Sequence, residues 1–417
     1  MNKLRITGGR PLDGSVHVQG AKNSVLPILA ASILAKGETV IHSCPQLSDV
    51  DAAVRILQHF GCTVTRFGHT LYIDSREITC CDIPENLMKE MRSSVIFLGA
   101  ILARTGEAVL SRPGGCELGP RPIDLHLSSL RAMGAQITDN GNSILCRAER
   151  LHGCTICLPT PSVGATENSM LAAACADGTV TIVNAAREPE IWDLQEYLKK
   201  LGARICGAGT KEITVEGSRL GGFAEHTVIP DRIAAVTYLS AAAATGGRVE
   251  VTGINPWYIS TVADTLCQLG CAFSSGSDFV CADARGALHA AELIETRPYP
   301  GFPTDAQPPV MAASLKAAGT TVFSENIFTN RYRHVPGLVR LGADIKVSGR
   351  IAVVNGVPEL YAAGLAATDL RGGAALAVAA LGAQGVSVLS DIQHIDRGYD
   401  DFDGCLRALG AQIQRID

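Results

Sequence analysis

Aromatic residues are scarce in this chain of 417 residues, where Phe, Trp and Tyr together make up 5%. Charged residues are also few, at 18%, and the net charge of −5 lacks the basic excess of proteins that coat nucleic acid. Residues 1–14 contain no apolar run typical of a signal peptide. The uncharged stretch 372–389 is mostly Gly and Ala and predicts a buried helix followed by a strand, not a membrane span. We therefore expect a globular, cytoplasmic protein without nucleic-acid or membrane partners.

Cysteine, in contrast, is frequent, with 14 residues. Without a secretory signal, these cysteines are expected to be thiols and not disulfides. Cys154 and Cys157 form a CxxC pair near His152, but no second pair follows at zinc-finger spacing. The alternation of Cys154, Ile156 and Leu158 predicts a strand, so we expect neither a metal nor another cofactor.

Glycine marks an internal repeat that covers the chain. A helix ending in an apolar residue, Gly and a small residue recurs six times at intervals of roughly 70 residues. The glycines of these copies are Gly61, Gly134, Gly202, Gly270, Gly342 and Gly410. A second series of Ala-rich helices ends at Gly37, Gly106, Gly178, Gly247, Gly319 and Gly385, each followed by a β-branched run.

Both series of glycines predict left-handed caps at helix C-termini. The repeating unit is then helix, strand, helix, strand, with a further strand before the next unit. Six such units, grouped as two domains of three, are the economical arrangement.

Basic residues stand where many of these helices begin, although the helix dipole favours acids there. The cations with this placement are Lys22, Arg92, Arg121, Arg331, Arg371 and Arg397. If the helix starts converge, these side chains would bind a small, highly charged anion. Ordinary solvated charge is the alternative for each of them.

Two further residues are candidates for chemistry. Cys116 lies in a loop of three glycines and three prolines, flanked by Arg112 and Arg121, and nearby cations lower the pKa of a thiol. A Cys/His hydrolase is the competing hypothesis for Cys116, with His126 as the nearest histidine. Asp305 follows Gly-Phe-Pro-Thr and is either a helix-capping residue or a general base.

Several motifs together carry a resemblance that runs the length of the chain. They are GAKNSVLP (20–27), MRSSVIFLGA (91–100), RPGGCELGPRPIDLH (112–126), PSVGATEN (161–168), NAAREPEI (184–191), FPTDAQ (302–307), NRYRHV (330–335), TDLR (368–371) and HIDRGY (394–399). With these motifs the sequence resembles the UDP-N-acetylglucosamine 1-carboxyvinyltransferases, which are enolpyruvyl transferases.

The resemblance implies an α/β (α+β) fold of two inside-out α/β barrels, each built of three βαβαββ repeats. One domain would span residues 20–229 and carry the Cys116 loop. The other would combine residues 1–19 with 230–417, and the active site would lie in the cleft between them. The implied reaction transfers the enolpyruvyl group of phosphoenolpyruvate to the 3′-hydroxyl of UDP-N-acetylglucosamine and releases phosphate. This reaction begins peptidoglycan synthesis, and so serves cell shape and cell division.

The resemblance also implies roles for individual residues. Lys22, Arg121 and Arg397 resemble contacts to the phosphate of phosphoenolpyruvate, whereas Arg331, Arg371 and Arg92 resemble contacts to its carboxylate. Asp305, the implied base, and Asn23 resemble groups near the sugar hydroxyl. Cys116 resembles the thiol that protonates C3 and can form a covalent adduct. The residues that resemble nucleotide-sugar contacts are Arg121, Pro122, Ile123, Asp124, Leu125, Ser162, Val163, Gly164 and Ile327.

Three positions depart from the family pattern. Thr160 replaces a lysine that some members carry near the nucleotide, and Gly337 and Gly372 stand where Glu and Ala are frequent. The alternatives are the sister enzyme that acts on shikimate 3-phosphate, which lacks the loop cysteine, and a non-catalytic paralogue. The sequence leaves the oligomeric state open.

Overall fold

The computed structural model describes residues 3–111 and 123–417, which form two compact units. We call residues 20–111 and 123–229 the central unit, and residues 3–19 and 230–417 the terminal unit. The terminal unit therefore contains both ends of the described chain.

Strands β1 (Lys3–Thr7) and β2 (Asp13–His17) open the chain and belong to the terminal unit. The central unit follows. Its helices are α1 (Lys22–Ser32), α2 (Ser48–His59), α3 (Glu85–Glu90), α4 (Phe97–Thr105), α5 (Asp124–Ala132), α6 (Val163–Ala173) and α7 (Pro189–Lys200). Its strands are β3 (Glu38–His42), β4 (Thr63–Phe67), β5 (Thr70–Asp74), β6 (Asp82–Ile83), β7 (Glu107–Ser111), β8 (Gln136–Asp139), β9 (Ser143–Arg147), β10 (Thr155–Cys157), β11 (Thr179–Val183), β12 (Arg204–Cys206), β13 (Glu212–Glu216) and β14 (Phe223–Thr227).

The remainder of the terminal unit has the same alternation of elements. Its helices are α8 (Arg232–Thr245), α9 (Ser260–Gln268), α10 (Gln307–Ser314), α11 (Val335–Arg340), α12 (Leu370–Gly382) and α13 (Phe402–Ala408). Its strands are β15 (Arg248–Thr252), β16 (Ala272–Ser275), β17 (Phe279–Asp283), β18 (Leu293–Glu295), β19 (Thr320–Ser324), β20 (Asp344–Ser348), β21 (Ile351–Asn355), β22 (Gly364–Ala366), β23 (Val386–Ser390) and β24 (Gln412–Ile416).

The described strands form six four-stranded sheets with one shared pattern. In each sheet the first two strands are parallel and the other two pairings are antiparallel. The sheet orders are β14-β3-β5-β4, β6-β7-β9-β8 and β10-β11-β13-β12 in the central unit, and β2-β15-β17-β16, β18-β19-β21-β20 and β22-β23-β1-β24 in the terminal unit. The mixed α/β class and the repeated βαβ units are confirmed, whereas barrel closure stays a prediction.

One Ala-rich helix from each repeat lies in the core. In the terminal unit α8, α10 and α12 contact one another, and every residue of α8 and α10 is buried. In the central unit α4 packs against α1 and α6. A helix that is apolar on all sides must be covered on all sides, so these helices fill the two cores and only their ends reach polar surroundings.

The stretch 372–389 is a helix followed by a strand, as predicted, because α12 ends at Gly382 and β23 begins at Val386. Among the helices of residues 3–111 and 123–417, none is both long enough and apolar enough to cross a membrane.

The first series of glycines, Gly61 and its five counterparts, all have positive φ angles, between 90° and 103°, as left-handed caps require. In the other series the prediction is wrong at two positions. Lys36 and Gly246 are the left-handed residues there, one position before Gly37 and Gly247. A Cβ on Gly37 would lie 1.6 Å from the carbonyl oxygen of Gly222, so this glycine permits a close backbone approach instead.

Replacing a cap glycine should cost stability through backbone strain alone. Gly342 has a φ of 97°, and the nearest atom to an added Cβ is Tyr361 Cδ2, at an ordinary contact distance of 3.7 Å. We expect Gly342→Ala to lower the free energy of unfolding by about 1–3 kcal/mol. In Gly364→Ala, the matched control, the added Cβ has no neighbour within 4 Å, and we expect a change of at most about 0.5 kcal/mol. Equal denaturant midpoints for the two variants would contradict this prediction.

Candidate active site

In the terminal unit, one carboxylate lies between two buried guanidinium groups. Asp305 belongs to a short 3-10 helix, Thr304–Ala306, just before α10. Arg331 Nη2 donates to Asp305 Oδ1 at 3.0 Å, and Arg371 Nε donates to Asp305 Oδ2 at 3.4 Å. The arginine side chains are 2% and 3% exposed, whereas the Asp305 side chain is 29% exposed. The structure thus brings together three of the predicted site residues.

Asp305 is not the N-cap residue of the helix that follows it. The residue at the N-cap of α10 is Ala306, whose side chain makes no capping hydrogen bond. Asp305 therefore does not occupy the N-cap position of α10, and its carboxylate contacts the two arginines.

Arg331 is fixed by the backbone beside Asp305. Its Nε and Nη2 atoms donate to the carbonyl oxygen of Thr304 at 3.2 Å and 2.9 Å. The Thr304 hydroxyl donates to Glu325 Oε2, and Glu325 Oε1 accepts from the backbone N–H of Ile327 at 2.8 Å. The fully buried Glu325 therefore ties the predicted nucleotide-sugar contact Ile327 to the segment that carries Asp305. Sequence reasoning missed Glu325, for which the only signal is a charged residue directly after strand β19.

Arg371 is the second residue of α12 and has an unused donor. Its guanidinium carbon lies 5.3 Å from the ring centre of Tyr399, and its Nη1 is buried with no hydrogen-bond partner among the described residues. Burial alone lowers the pKa of Arg371, but Tyr399, Asp305 and Asp231 raise it above its ordinary value, so the group stays charged. A buried, charged donor without a partner is costly unless an anion occupies the space beside it.

Packing explains the two glycines, Gly337 and Gly372, that depart from the family pattern. Asp369 caps α12 by accepting from the N–H of Gly372 at 3.0 Å. A Cβ on Gly372 would lie 2.7 Å from Asp369 Oδ2, and a Cβ on Gly337 would lie 2.6 Å from Leu376 Cδ2. Alanine at either position would require these neighbours to move.

The predicted phosphate contact Arg397 is partly buried in the turn that leads to Tyr399.

In the central unit, Lys22 is the first residue of α1 and pairs with an acid of α2. Lys22 Nζ lies 2.7 Å from Asp49 Oδ2, and the Asp49 side chain is 2% exposed. A cation at a helix N-terminus opposes the helix dipole, and the Asp49 carboxylate offsets that repulsion. Asn23, the second residue of α1, is partly buried.

A buried network fixes the start of α1. Asp193, on α7, accepts a short hydrogen bond from the Ser24 hydroxyl, and its other oxygen lies 2.8 Å from His226 Nε2. Asp193 also accepts from the backbone N–H of Ile229 at 3.2 Å. Sequence reasoning missed this network because its members are far apart in the chain. No local sequence motif marks any of them as a partner of the others.

The predicted nucleotide-sugar contacts of the central unit lie at two helix starts. Ser162 caps α6, whose first residues are Val163 and Gly164, by accepting from the N–H of Ala165 at 3.4 Å. Ile123 occupies the N-cap position of α5, which begins with Asp124 and Leu125, and makes no capping hydrogen bond with its side chain. Arg92 begins the 3-10 helix Arg92–Ile96. The predictions for Cys116, Arg121 and Pro122 lie outside the described residues.

The one lone pair of the His126 ring is already engaged, which disfavours this residue as the base of a Cys/His hydrolase. Asn168 Oδ1 accepts from the N–H of Gly99 at 2.6 Å, which turns its Nδ2 towards His126 Nδ1 at 2.8 Å. Because Nδ1 accepts this bond, the imidazole proton lies on Nε2. Burial lowers the pKa of His126 to about 4, so the ring is neutral and packs against Gly164. This arrangement supports the start of α6 and not proton abstraction.

His126 should make the protein acid-labile. In the unfolded chain a histidine binds a proton below about pH 6.5, whereas His126 stays neutral in the fold until about pH 4. Acid therefore favours the unfolded state across this window, by up to about 1.4 kcal/mol per pH unit for one proton. In urea unfolding, we expect His126→Gln to flatten the loss of stability between pH 6.5 and pH 4, and the exposed-site control His17→Gln to leave it unchanged. Parallel curves for His126→Gln and wild type would disprove the assignment.

Comparisons with known proteins agree on one family. Residues 6–406 match the family model described as EPSP synthase (3-phosphoshikimate 1-carboxyvinyltransferase). A protein of Caldanaerobacter subterraneus subsp. tengcongensis named UDP-N-acetylglucosamine 1-carboxyvinyltransferase 2 is 48% identical, with 100% of both chains covered. One of Carboxydothermus hydrogenoformans, named UDP-N-acetylglucosamine 1-carboxyvinyltransferase 1, is 45% identical over 100% of this chain and 99% of its own.

Solved structures show the same fold. The enolpyruvyl transferase NikO from Streptomyces tendae superposes with a TM-score of 0.88 at 27% identity, over 99% of this chain and 98% of NikO. An EPSP synthase from Acinetobacter baumannii superposes with a TM-score of 0.73 at 18% identity, covers 100% of both chains and shows likeness of fold alone. With relatives of this identity over the full length, the chain belongs to the UDP-N-acetylglucosamine 1-carboxyvinyltransferase family of enolpyruvyl transferases.

Proposed function

We propose that this protein transfers the enolpyruvyl group of phosphoenolpyruvate to the 3′-hydroxyl of UDP-N-acetylglucosamine and releases phosphate. The observation that carries the proposal is the group of Asp305, Arg331 and Arg371, with a free buried donor on Arg371. A reaction between a hydroxyl group and a polyanion needs a group that accepts the hydroxyl proton and cations that bind the polyanion. Asp305 suits the first role, and Arg331 and Arg371 suit the second.

The carboxylate of phosphoenolpyruvate would bind Arg371, through its free Nη1, and Arg331, with Arg92 alongside. Guanidinium groups match carboxylates in geometry, and these two lose little entropy on binding because packing already holds them. The phosphate would bind Lys22, Arg121 and Arg397. Lys22 has the charge and the helix-terminal position for this role.

The chemistry then balances as an addition followed by an elimination. The sugar hydroxyl oxygen forms a bond to C2 while its proton passes to Asp305, and C3 takes a proton from the Cys116 thiol. The Cys116 thiolate then takes a proton back from C3, and phosphate departs with the proton that Asp305 had accepted, which restores the double bond in the enolpyruvyl ether and regenerates both residues. Asn23 would orient the hydroxyl, and the contacts of Ile123–Leu125, Ser162–Gly164 and Ile327 would hold the nucleotide sugar.

We further propose that the reaction serves the first committed step of peptidoglycan synthesis, in the cytoplasm. All 13 cysteines among the described residues are free thiols, which suits a reducing compartment.

The substrate assignment is tested by phosphate release from phosphoenolpyruvate. We expect release with UDP-N-acetylglucosamine as the acceptor and none with shikimate 3-phosphate. Release with shikimate 3-phosphate would identify the sister activity. No release with either acceptor, from protein that binds UDP-N-acetylglucosamine, would indicate a non-catalytic paralogue.

Asp305→Asn should bind both substrates but lose turnover. An amide keeps the size of the side chain but cannot take the hydroxyl proton, and general base catalysis contributes about 10²–10⁴-fold. We expect a fall in kcat within that range, measured by the same phosphate assay. The control is Asp264→Asn, an exposed acid on α9, which should leave kcat unchanged. A kcat of Asp305→Asn within about threefold of wild type would exclude Asp305 as the base.

A further inference from the structure

We propose that His59, Cys80 and Asp82 form a binding site for a zinc-like divalent cation on the central unit. His59 is the last residue of α2, Asp82 is the first residue of β6, and Cys80 precedes it by two positions. One potential ligand atom from each residue lies within 4.8 Å of the other two. Nitrogen, sulfur and oxygen donors in one cluster are typical of zinc and unlike the all-oxygen sites of magnesium or calcium.

The spacing of His59 and Asp82 fits two ligands of one ion better than it fits a hydrogen bond. His59 Nε2 lies 3.5 Å from Asp82 Oδ1, and Nε2 is buried with no hydrogen-bond partner among the described residues. Hydrogen bonds between nitrogen and oxygen usually span about 2.7–3.2 Å. Two ligands of a tetrahedral zinc ion, each about 2.1 Å from the metal, lie about 3.4 Å apart.

Cys80 supplies the third donor. Its Sγ now donates to the carbonyl oxygen of His59 at 3.0 Å, so the thiol already lies beside the histidine backbone. A divalent cation would displace the thiol proton and be neutralised by the thiolate and the Asp82 carboxylate.

The backbone already holds the two ligand-bearing segments together. The N–H of Thr79 donates to the carbonyl oxygen of Phe60 at 2.8 Å. A Cβ on Gly61, which has a φ of 103°, would lie only 2.9 Å from Thr79 Oγ1. Binding therefore needs only side-chain rotation, so little ordering entropy opposes it.

The other five repeats show that the fold does not require these side chains. Each repeat has the same backbone hydrogen bond as Thr79 to Phe60, with donors Asp13, His152, Gly221, His289 and Tyr361. The residue after the donor is Cys80 here and Gly14, Gly153, Gly222, Ala290 and Ala362 elsewhere. The residue before the acceptor is His59 here and Ala408, Ala132, Lys200, Gln268 and Arg340 elsewhere. An imidazole and a thiol therefore lie together at this junction in only one of the six repeats. In the other five repeats a glycine or an alanine takes the position of the thiol, so packing does not require a cysteine there.

The proposed ion would be structural and not catalytic. His59 and Asp49 stand at opposite ends of α2, about 15 Å apart at the usual rise per residue, and Asp49 is the residue that contacts Lys22. His59 and Asp82 are 32% and 47% exposed, so water can complete the coordination. The ion would clamp the end of α2 to β6.

Cobalt provides the direct test, because a thiolate bound to Co²⁺ gives a charge-transfer absorption band. Reduced, chelator-treated full-length protein is titrated with Co²⁺ and then with Zn²⁺. We expect a sulfur-to-cobalt band and tetrahedral d–d bands that saturate at one equivalent and that Zn²⁺ abolishes. In Cys80→Ser the sulfur band should vanish, and in His59→Gln the affinity should fall by at least about tenfold.

Matched controls separate this site from the other thiols. Cys81→Ser, Cys157→Ser and Cys116→Ser should keep both the band and the affinity, and circular dichroism checks the fold of each variant. Zn²⁺ should raise the melting temperature of the wild type but not that of Cys80→Ser. Phosphate release by the wild type should persist in EDTA. A titration without a sulfur band, or a band that survives Cys80→Ser at wild-type affinity, would overturn the proposal.

Discussion

The guanidinium groups of Arg331 and Arg371 are almost completely excluded from water, and the structure around them compensates for that burial. An unpaired buried charge costs several kcal/mol, on the order of 3–5 kcal/mol when its partner is removed. Asp305, the carbonyl oxygen of Thr304 and the ring of Tyr399 supply the compensation. Asp305 is therefore held in place by the same cations that we assign to the substrate, and its position follows from theirs.

The repeat explains how these charges come to lie at helix starts. Each core helix is covered along almost its whole length, so most of its interior positions hold uncharged residues. The first turn is where such a helix leaves the core, as at Lys22 on α1 and Arg371 on α12. Six repeats supply several such helix N-termini, and charged side chains can occupy them without any change in the residues of the core.

The sequence was sufficient for features that depend on local backbone geometry. Gly61 and its counterparts occupy left-handed caps because no other residue adopts that conformation at low cost. The same reasoning failed at Gly37, where glycine is needed for contact with Gly222, a residue distant in the chain. It failed for Ser24, Asp193 and His226 for the same reason, since only the folded chain brings their polar atoms together. Motifs could propose Asp305 and Arg371 as site residues, but not that they contact each other.

In both units a predicted substrate-binding cation already has an acidic partner, and this pairing bears on selectivity. Lys22 contacts Asp49, and Arg331 and Arg371 contact Asp305. A weakly charged ligand gains little by approaching a cation whose field a neighbouring carboxylate already offsets. A ligand with several negative charges gains from each cation, and it meets fixed donors such as Arg371 Nη1 that have no other partner. If these cations bind the substrate as we propose, we expect their acid partners to favour polyanions with phosphate and carboxylate groups over simple anions. Asp305 also keeps Arg331 and Arg371 from repelling each other.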